Sequence, residues 1–329
     1  MRKNTLFLGL IIVIAFSAYA FNVALLITGE VGGNPIYEMM VAGAKRSGEV
    51  NGYDVKVVEG GYNASKWEQT LISLVATMQY DVVVTFTEGM PQSVEKAAKM
   101  FPSQKLILVD GIAPEMDNIF SLGFKDEEMS YLAGYFAGLV TASNMVNAND
   151  QQKVALVAGD TYPAMTNKMK PAFEKGVSDA NNQAEIFFTV AGSWSDPGKG
   201  KDIAAALFSQ GVDVVYGIAG GTSAGIIQEA DAQKKYFIGV DSNIIHINPE
   251  VILACTLKKA DVAIEKILTM AYKGELDFGT TQRWGIDKGV IDFTFDDPHY
   301  LQQIPSEIRE KMLQVFEGLK NGEISPLEK

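Results

Sequence analysis

Short apolar runs alternate with amphipathic stretches of ten or more residues along most of this 329-residue chain. This alternation is typical of the strands and helices of a parallel α/β sheet. The runs are nearly continuous in Val, Ile and Leu, which indicates strands that are covered on both faces. The pattern predicts strands at residues 22–28, 54–59, 82–85, 105–109, 153–158, 185–190, 214–217 and 236–239.

The second four of these strands repeat the first four. Val23-Ala24-Leu25 recurs as Val154-Ala155-Leu156, at a spacing of 131 residues. The other matches are Gly61 with Gly192, Asp81-Val82-Val83 with Asp213-Val214-Val215, and Val109-Asp110 with Val240-Asp241. Four matches in order, at an almost constant spacing, predict two lobes of the same topology.

Two such lobes predict where a ligand binds. Open parallel sheets bind ligands beyond the carboxyl ends of their strands, so facing lobes enclose a cleft lined by strand-end loops. In this chain those loops are 29–34, 60–65, 86–91 and 110–114 in one lobe, and 160–164, 191–198, 218–223 and 241–246 in the other. We assign residues 21–123 and about 245–278 to the first lobe, with a strand at 251–256 and a helix at 261–273, and residues 124–244 and about 279–329 to the second.

The first twenty residues have the pattern of an export signal. Arg2 and Lys3 precede the apolar run 6–16, and Ala18-Tyr19-Ala20 fits the small-x-small cleavage pattern. The alternative is an uncleaved membrane anchor, although the run is shorter than the roughly 20 residues that cross a bilayer. No cysteine lies near the site for lipid attachment. We therefore expect an exported, periplasmic protein.

The charge balance argues against nucleic acid as a partner. Formal net charge is −12, and removal of Arg2 and Lys3 with the signal makes it more negative. Such a chain repels phosphate backbones. An acidic surface is compatible with docking on a basic patch of a permease, and solubility alone explains it equally well.

The cleft loops carry residues that bind and orient a small molecule. Hydrogen-bonding groups are offered by Asn34, Glu88, Asp110, Asp241 and Asn243, and flat ring faces by Tyr37, Tyr162 and Trp194. Together they suggest a planar heterocycle that carries a polyol. Asp110 and Asp241 are open to a second interpretation, as caps of the turns after their strands. Trp194 lies in a Ser- and Gly-rich turn, where a ligand-stacking role is favoured over a core role.

A glycine-rich run at residues 217–225 resembles a phosphate-binding loop, because such turns present backbone N–H groups to anions. It lacks the Gly-Lys-Ser/Thr ending of a nucleotide triphosphate loop. Close approach to a neutral ligand is the alternative, and Gly220 and Gly221 are site candidates on either interpretation.

Catalytic alternatives find little support in the sequence. The two histidines, His246 and His299, have no partner at metal-ligand spacing, and Cys255 is the only cysteine. We expect no enzymatic activity, no cofactor and no metal. A nucleoside hydrolase and a membrane-anchored ligand sensor remain the alternatives of other classes.

Several segments together resemble the PnrA-like, or basic membrane protein, family of ABC-transporter solute-binding proteins. They are Tyr-Leu-Ala-Gly-Tyr-Phe-Ala-Gly at 131–138, Gly-Ser-Trp-Ser-Asp-Pro-Gly-Lys-Gly at 192–200, the stretches 212–215 and 219–225, and Ile-Gly-Val-Asp-Ser at 238–242. The resemblance covers most of the chain after the signal. It implies a type I periplasmic-binding-protein fold, in which two Rossmann-like lobes joined by a hinge close over a ligand.

The resemblance also implies roles for individual residues. Trp194 matches a phenylalanine of the family's Gly-x-Phe-x-Asp turn, and Asp110 and Asp241 match aspartates that end two strands. Lys258 matches the lysine of a Ser-x-x-Lys strand whose serine is Cys255 here. The first loop departs from the family's Asn-Asp-x-Ser-Phe-Asn, so that only Asn34 and Tyr37 correspond.

The sequence therefore predicts a monomeric solute-binding protein that delivers a small molecule to an ABC permease in the inner membrane. Well-studied relatives bind purine nucleosides, holding the base between aromatic rings and the ribose with carboxylates and a lysine. A purine nucleoside is the first expectation, and riboflavin, which some relatives bind, is the alternative.

Overall fold

The computed structural model describes residues 21–32 and 34–327, so the predicted signal at 1–20 lies outside the described residues. The strands are β1 Asn22–Ile27, β2 Asp54–Glu59, β3 Val82–Phe86, β4 Lys105–Val109, β5 Ile119–Phe124, β6 Lys153–Ala158, β7 Glu185–Val190, β8 Val212–Ile218, β9 Tyr236–Gly239, β10 Ile252–Lys258, β11 Thr281–Trp284 and β12 Ile291–Phe293. The helices are α1 Pro35–Asn51, α2 Ala64–Ala76, α3 Pro91–Met100, α4 Asp126–Thr141, α5 Lys170–Ala180, α6 Pro197–Ser209, α7 Ser223–Ala232, α8 Ala260–Tyr272, α9 Pro298–Gln303 and α10 Ser306–Lys320.

The strands form two six-stranded sheets with matching orders. One runs β11-β5-β4-β3-β1-β2 and the other β12-β10-β9-β8-β6-β7. All pairs are parallel except β10 with β12. Central strands such as β3 and β8 are buried along their whole length, as their continuous apolar sequences require. The predicted two-lobed α/β fold is confirmed.

The repeat seen in the sequence is a repeat of strand positions. β1 and β6 occupy the same place in their sheets, as do β4 and β9. Asp110 and Asp241 follow β4 and β9, and both have left-handed backbones, with φ of 57° and 66°. Aspartate tolerates this conformation better than most residues. The repeat thus preserves an unusual turn as well as a strand order.

Two segments lie in different sheets from those expected. The strand predicted at 251–256 for the first lobe is β10, which pairs with β9 and β12 in the second sheet. Within the segment expected in the second lobe, β11 pairs with β5 in the first sheet. β10 is buried and apolar, as a strand of either sheet would be, so composition does not reveal its neighbours. β11 is a four-residue, partly exposed edge strand that the hydrophobic pattern does not identify.

The chain crosses between the lobes three times in the part that the structure describes. β5 of the first sheet leads into α4, which packs along α5 in the second lobe, and β10 of the second sheet leads into α8, which packs on α1. The third crossing joins β11 to β12. Backbone hydrogen bonds link the crossings. Lys125 N donates to Trp284 O (2.9 Å), and Lys259 N donates to Val290 O (2.8 Å).

Helices α4 and α5 approach closely because glycine faces backbone on both sides. A Cβ on Gly134 would lie 2.1 Å from the carbonyl oxygen of Phe173, and one on Gly176 would lie 2.3 Å from that of Tyr131. Both glycines are therefore required by packing. Tyr131 and Gly134 both belong to the Tyr-Leu-Ala-Gly run of the family resemblance, so that run lies at this helix contact.

Gly134→Ala is expected to lower the free energy of unfolding by about 1–3 kcal/mol, because the added methyl group forces the two helices apart. Urea unfolding followed by circular dichroism measures the change. Gly32→Ala is the control, since a Cβ there meets nothing within 4 Å. Equal effects of the two substitutions would contradict the packing role of Gly134.

Among the described residues, no helix combines the length and apolar character needed to cross a membrane.

Candidate functional site

The carboxyl ends of the parallel strands in both sheets carry the polar residues expected to line the cleft. Lys258, the last residue of β10, lies at the centre of a charged cluster. Its Nζ lies 2.8 Å from Asp126 Oδ1 and 3.5 Å from Asp110 Oδ2, and 5.2 Å from the centre of the Phe124 ring. The Lys258 side chain is only 10% exposed. A buried cation of this kind is held in place by its carboxylate partners.

Electrostatics tie the cluster together. Burial pulls the pKa of Lys258 down, but the neighbouring carboxylates, led by Asp110 and Asp126, hold it well above its ordinary value. Burial raises the pKa of Asp241, and Lys258 opposes that rise. Asp110 and Asp241 come from equivalent turns of the two lobes, so the cleft places acids from both lobes around one lysine.

The pKa of Asp110 lies far above its ordinary range. Burial, supported by the charges of Asp126, Asp241 and Glu88, raises the pKa of Asp110 to about 7, although Lys258 opposes the rise. Near neutral pH its carboxyl group is therefore divided between protonated and ionised forms. Asp110 can donate or accept a hydrogen bond toward a ligand hydroxyl.

Glu88 faces the second lobe. Burial is the largest cause of its raised pKa, and Asp126 adds to it. The cationic Lys168 and a backbone hydrogen bond from Ala164 act in the opposite direction. Ala164 and Lys168 belong to the start of the helix that runs into α5. Glu88 therefore lies where the two lobes approach each other.

Tyr37 lies in the first turn of α1 and closes one side of the cleft. Its hydroxyl donates to Thr28 O (3.3 Å), and the Phe86 ring meets its ring edge-on, with centroids 5.9 Å apart. Burial raises its pKa, and the charge of Asp110 contributes to that rise. Asn34, the N-cap residue of α1, is half-buried, and its side chain makes no capping bond.

Trp194 and Tyr162 form an aromatic pair in the second lobe. Their ring centroids are 6.1 Å apart, with a tilt of 44°, and Trp194 is 45% exposed. The indole packs on Gly159, where a Cβ would lie 2.5 Å from the ring. Burial raises the pKa of Tyr162, and the Asp126 carboxylate is among the charges that add to that rise. The pair therefore lies beside the charged cluster.

The glycine-rich run supports the Trp194 loop. Gly220 has φ of 55°, and a Cβ on it would lie 2.9 Å from the Trp194 carbonyl oxygen. Thr222 Oγ1 donates to Ser193 O and accepts from Asp196 N, both at 2.9 Å. Gly221 lies against the same loop. These contacts give the run a structural role without requiring a phosphate.

The first turn of α4 joins the chain crossings that form the hinge. Its three acidic residues are buried, and each has a partner on another crossing of the chain. The pairs are Asp126 with Lys258 (2.8 Å), Glu127 with Arg283 (2.6 Å), and Glu128 with the backbone N–H of Ile286 (2.8 Å). Asp126 is thus shared between the hinge and the charged cluster.

The structure brings most of the predicted site residues together. Glu88, Asp110, Asp241 and Lys258 interact electrostatically, and Tyr37 and Tyr162 lie within reach of Asp110. Asn243 differs from expectation, because its amide donates to Asp297 (2.8 Å) in the tail of the second lobe. Sequence reasoning missed Asp126 and Gly159. An acid two residues after the end of β5, at the same edge of the sheet as Asp110, was the available signal for Asp126.

The family model for "ABC transporter substrate-binding protein PnrA-like" matches residues 20–324. The chain belongs to this family. The resemblance seen in its motifs is confirmed. The protein is a solute-binding protein of the ABC-transporter type.

Named relatives of this PnrA-like chain agree with that assignment. A CD4+ T-cell-stimulating antigen of Listeria monocytogenes is 28% identical, with 92% of this chain and 88% of the relative covered. The ABC transporter nucleoside-binding protein BmpA of Lactococcus lactis is 26% identical, with 72% of this chain and 68% of the relative covered. A solute-binding protein from Aeropyrum pernix has the same fold, with a TM-score of 0.80, 24% identity, and coverage of 93% and 92% of the two chains.

Proposed function

We propose that this protein captures a purine nucleoside between its lobes and delivers it to the permease of an ABC importer. The observation that carries the proposal is the cluster of Asp110, Asp241 and Lys258 beside aromatic rings from both lobes. Carboxylates and a lysine suit a ribose, and rings suit a base. The relative named as a nucleoside-binding protein supports the same ligand class.

Each predicted contact has a chemical role in this proposal. Tyr37 and Trp194 enclose the base from opposite lobes. Asp110 and Asp241 accept hydrogen bonds from sugar hydroxyls, while Lys258 fixes the polar end of the ligand. Glu88 and Asn34 hydrogen-bond to the base edge, and the Gly220–Gly221 turn allows close approach of backbone. We place the protein in the periplasm, as a monomer, after export and removal of residues 1–20.

Isothermal titration calorimetry with inosine, guanosine, adenosine and riboflavin tests the ligand. We expect heat from at least one nucleoside, and no heat from any of them would contradict the proposal. Chromatography of the recovered nucleoside separates binding from hydrolysis. A binding protein returns it unchanged, whereas a hydrolase releases free base over time.

Trp194→Ala is expected to weaken nucleoside binding by more than about 1 kcal/mol, the scale of one lost stacking contact. Trp194→Phe keeps an aromatic face and is expected to retain most of the affinity. Calorimetry on both variants measures the difference. Unchanged affinity of Trp194→Ala would remove this residue from the ligand site.

A further inference from the structure

Tyr62 is an exposed aromatic residue in the loop between β2 and α2. Its side chain is 64% exposed. Yet its ring lies close to Gly29, where a Cβ would be 2.9 Å from the Tyr62 ring and 2.5 Å from the Tyr37 ring. Two aromatic rings of the first lobe therefore share the space above one glycine, at the carboxyl end of β1.

The second lobe has an equivalent arrangement. Trp194 lies in the loop between β7 and α6, and β7 holds the same position in its sheet as β2 does in the other. Its ring covers Gly159, which directly follows β6, the counterpart of β1. In each lobe, an aromatic residue in the loop after the edge strand (β2 or β7) covers a glycine that follows the neighbouring strand (β1 or β6).

Four rings lie near the carboxyl ends of the strands that carry the charged cluster, Tyr37 and Tyr62 in the first lobe and Tyr162 and Trp194 in the second. Tyr62 lies near enough to Tyr37 to contribute to its raised pKa, after burial as the main cause. Tyr162 lies against Trp194. Burial is the largest cause of the raised pKa of both Tyr37 and Tyr162, and the charge of Asp110 adds to each. Tyr62, with a side chain that is 64% exposed, is the most exposed of these four rings, and Trp194 follows at 45%.

We propose that Tyr62 is a specificity-determining residue that adds an outer aromatic wall, across the cleft from Trp194, for ligand rings extending beyond the Tyr37–Trp194 pair. The inference rests on the proposed function, in that a flat ring enters this cleft. A purine is short enough to be covered mostly by Tyr37 and Trp194. A fused tricycle, or a purine with an aryl substituent on its distal edge, reaches the outer wall and stacks on Tyr62.

The affinity test compares ligands of two lengths on two variants. For Tyr62→Ala we expect a three- to tenfold loss of affinity, roughly that of one aromatic contact, for riboflavin or N6-benzyladenosine. For adenosine we expect a loss of less than about twofold. Tyr62→Phe keeps the ring and is expected to restore the affinity for the long ligand. An equal loss for both lengths, or no loss for either, overturns the proposal.

A second measurement does not depend on the identity of the ligand. The double variant Tyr62→Cys, Trp194→Cys is treated with a short bis-maleimide, and intact mass reports an intramolecular bridge. The control pairs Tyr62→Cys with Val146→Cys, because Val146 is 91% exposed in the second lobe, outside its cleft loops. Cys255 is buried and should not react.

We expect a bridge in the first pair and none in the control. Absence of the bridge in the first pair overturns the outer wall even where nucleosides bind. If no ligand in the panel binds, the nucleoside proposal fails, and the bridge alone then decides whether Tyr62 faces Trp194 across the cleft.

Discussion

Lys258→Met is expected to lower the free energy of unfolding by about 3 kcal/mol at pH 7 and to abolish ligand binding. Lys258 is buried, and it is the cation closest to Asp110 and Asp126. Removing one member of a buried ion pair leaves the other charge without compensation, which costs about 3–5 kcal/mol. We expect the low end of this range, because Asp110 can take up a proton when the lysine is lost. Urea unfolding measures the change.

Lys259→Met is the matched control for this substitution. Lys259 is the next residue in the chain and forms an ion pair with Asp292, but its side chain is 37% exposed. Exposed pairs contribute about 0–1 kcal/mol. A comparable destabilisation by the two variants would show that the charged cluster around Lys258 is not a special feature of the site.

Asp110→Asn is expected to stabilise the ligand-free protein by about 2 kcal/mol at pH 8 while weakening ligand binding. The folded protein raises the Asp110 pKa from 3.8 to about 7, chiefly through burial, so the native state binds the proton more tightly than the unfolded state does. Ionised Asp110 therefore opposes folding, and its cost grows as pH rises between these two values. Asparagine removes the charge and tolerates the left-handed backbone at this position. Lys258 keeps its closer partner, Asp126, at 2.8 Å.

The sign of this effect reverses the usual behaviour of a paired surface carboxylate. The advantage of Asp110→Asn over the natural protein should be largest above pH 7 and should vanish near pH 4, where Asp110 is protonated in the folded state. Urea unfolding of both proteins at pH 4, 6 and 8 measures it. Asp150→Asn, at an exposed loop position, is the control, with an expected change below about 0.5 kcal/mol. A difference that grows toward low pH would contradict the assignment.

Opposite effects on stability and binding are expected wherever a site keeps charges ready for a ligand. Asp110, Asp241 and Glu88 all have raised pKa values in which burial is the largest cause. Without a ligand, the charges of Lys258 and Lys168 offset only part of the free-energy cost of burying these carboxylates. Hydroxyl and amine donors of a bound ligand would supply the missing hydrogen bonds, so ligand binding should favour the closed arrangement of the lobes.

The sequence by itself determined nine of the twelve strands that the structure describes, the two-fold repeat and the loops that carry the site, but not β5, β11 and β12. Continuous apolar runs identify buried strands because both faces of a parallel sheet are covered by helices. The repeat then related Asp110 to Asp241 before any contact was known. Those features depend on local pattern and spacing, which are properties of a linear chain.

Only the tertiary structure decided which sheet each late strand joins and which charges meet. The apolar composition of β10 suits either sheet, β11 has only four residues and little apolar character, and the places of both depend on the three crossings of the hinge. Asp126 became part of the site because the start of α4 faces the end of β10, more than a hundred residues away in sequence. Gly159 belongs to the site because the Trp194 ring packs on it and leaves no room for a side chain. Such contacts join residues distant in sequence, so no local pattern encodes them.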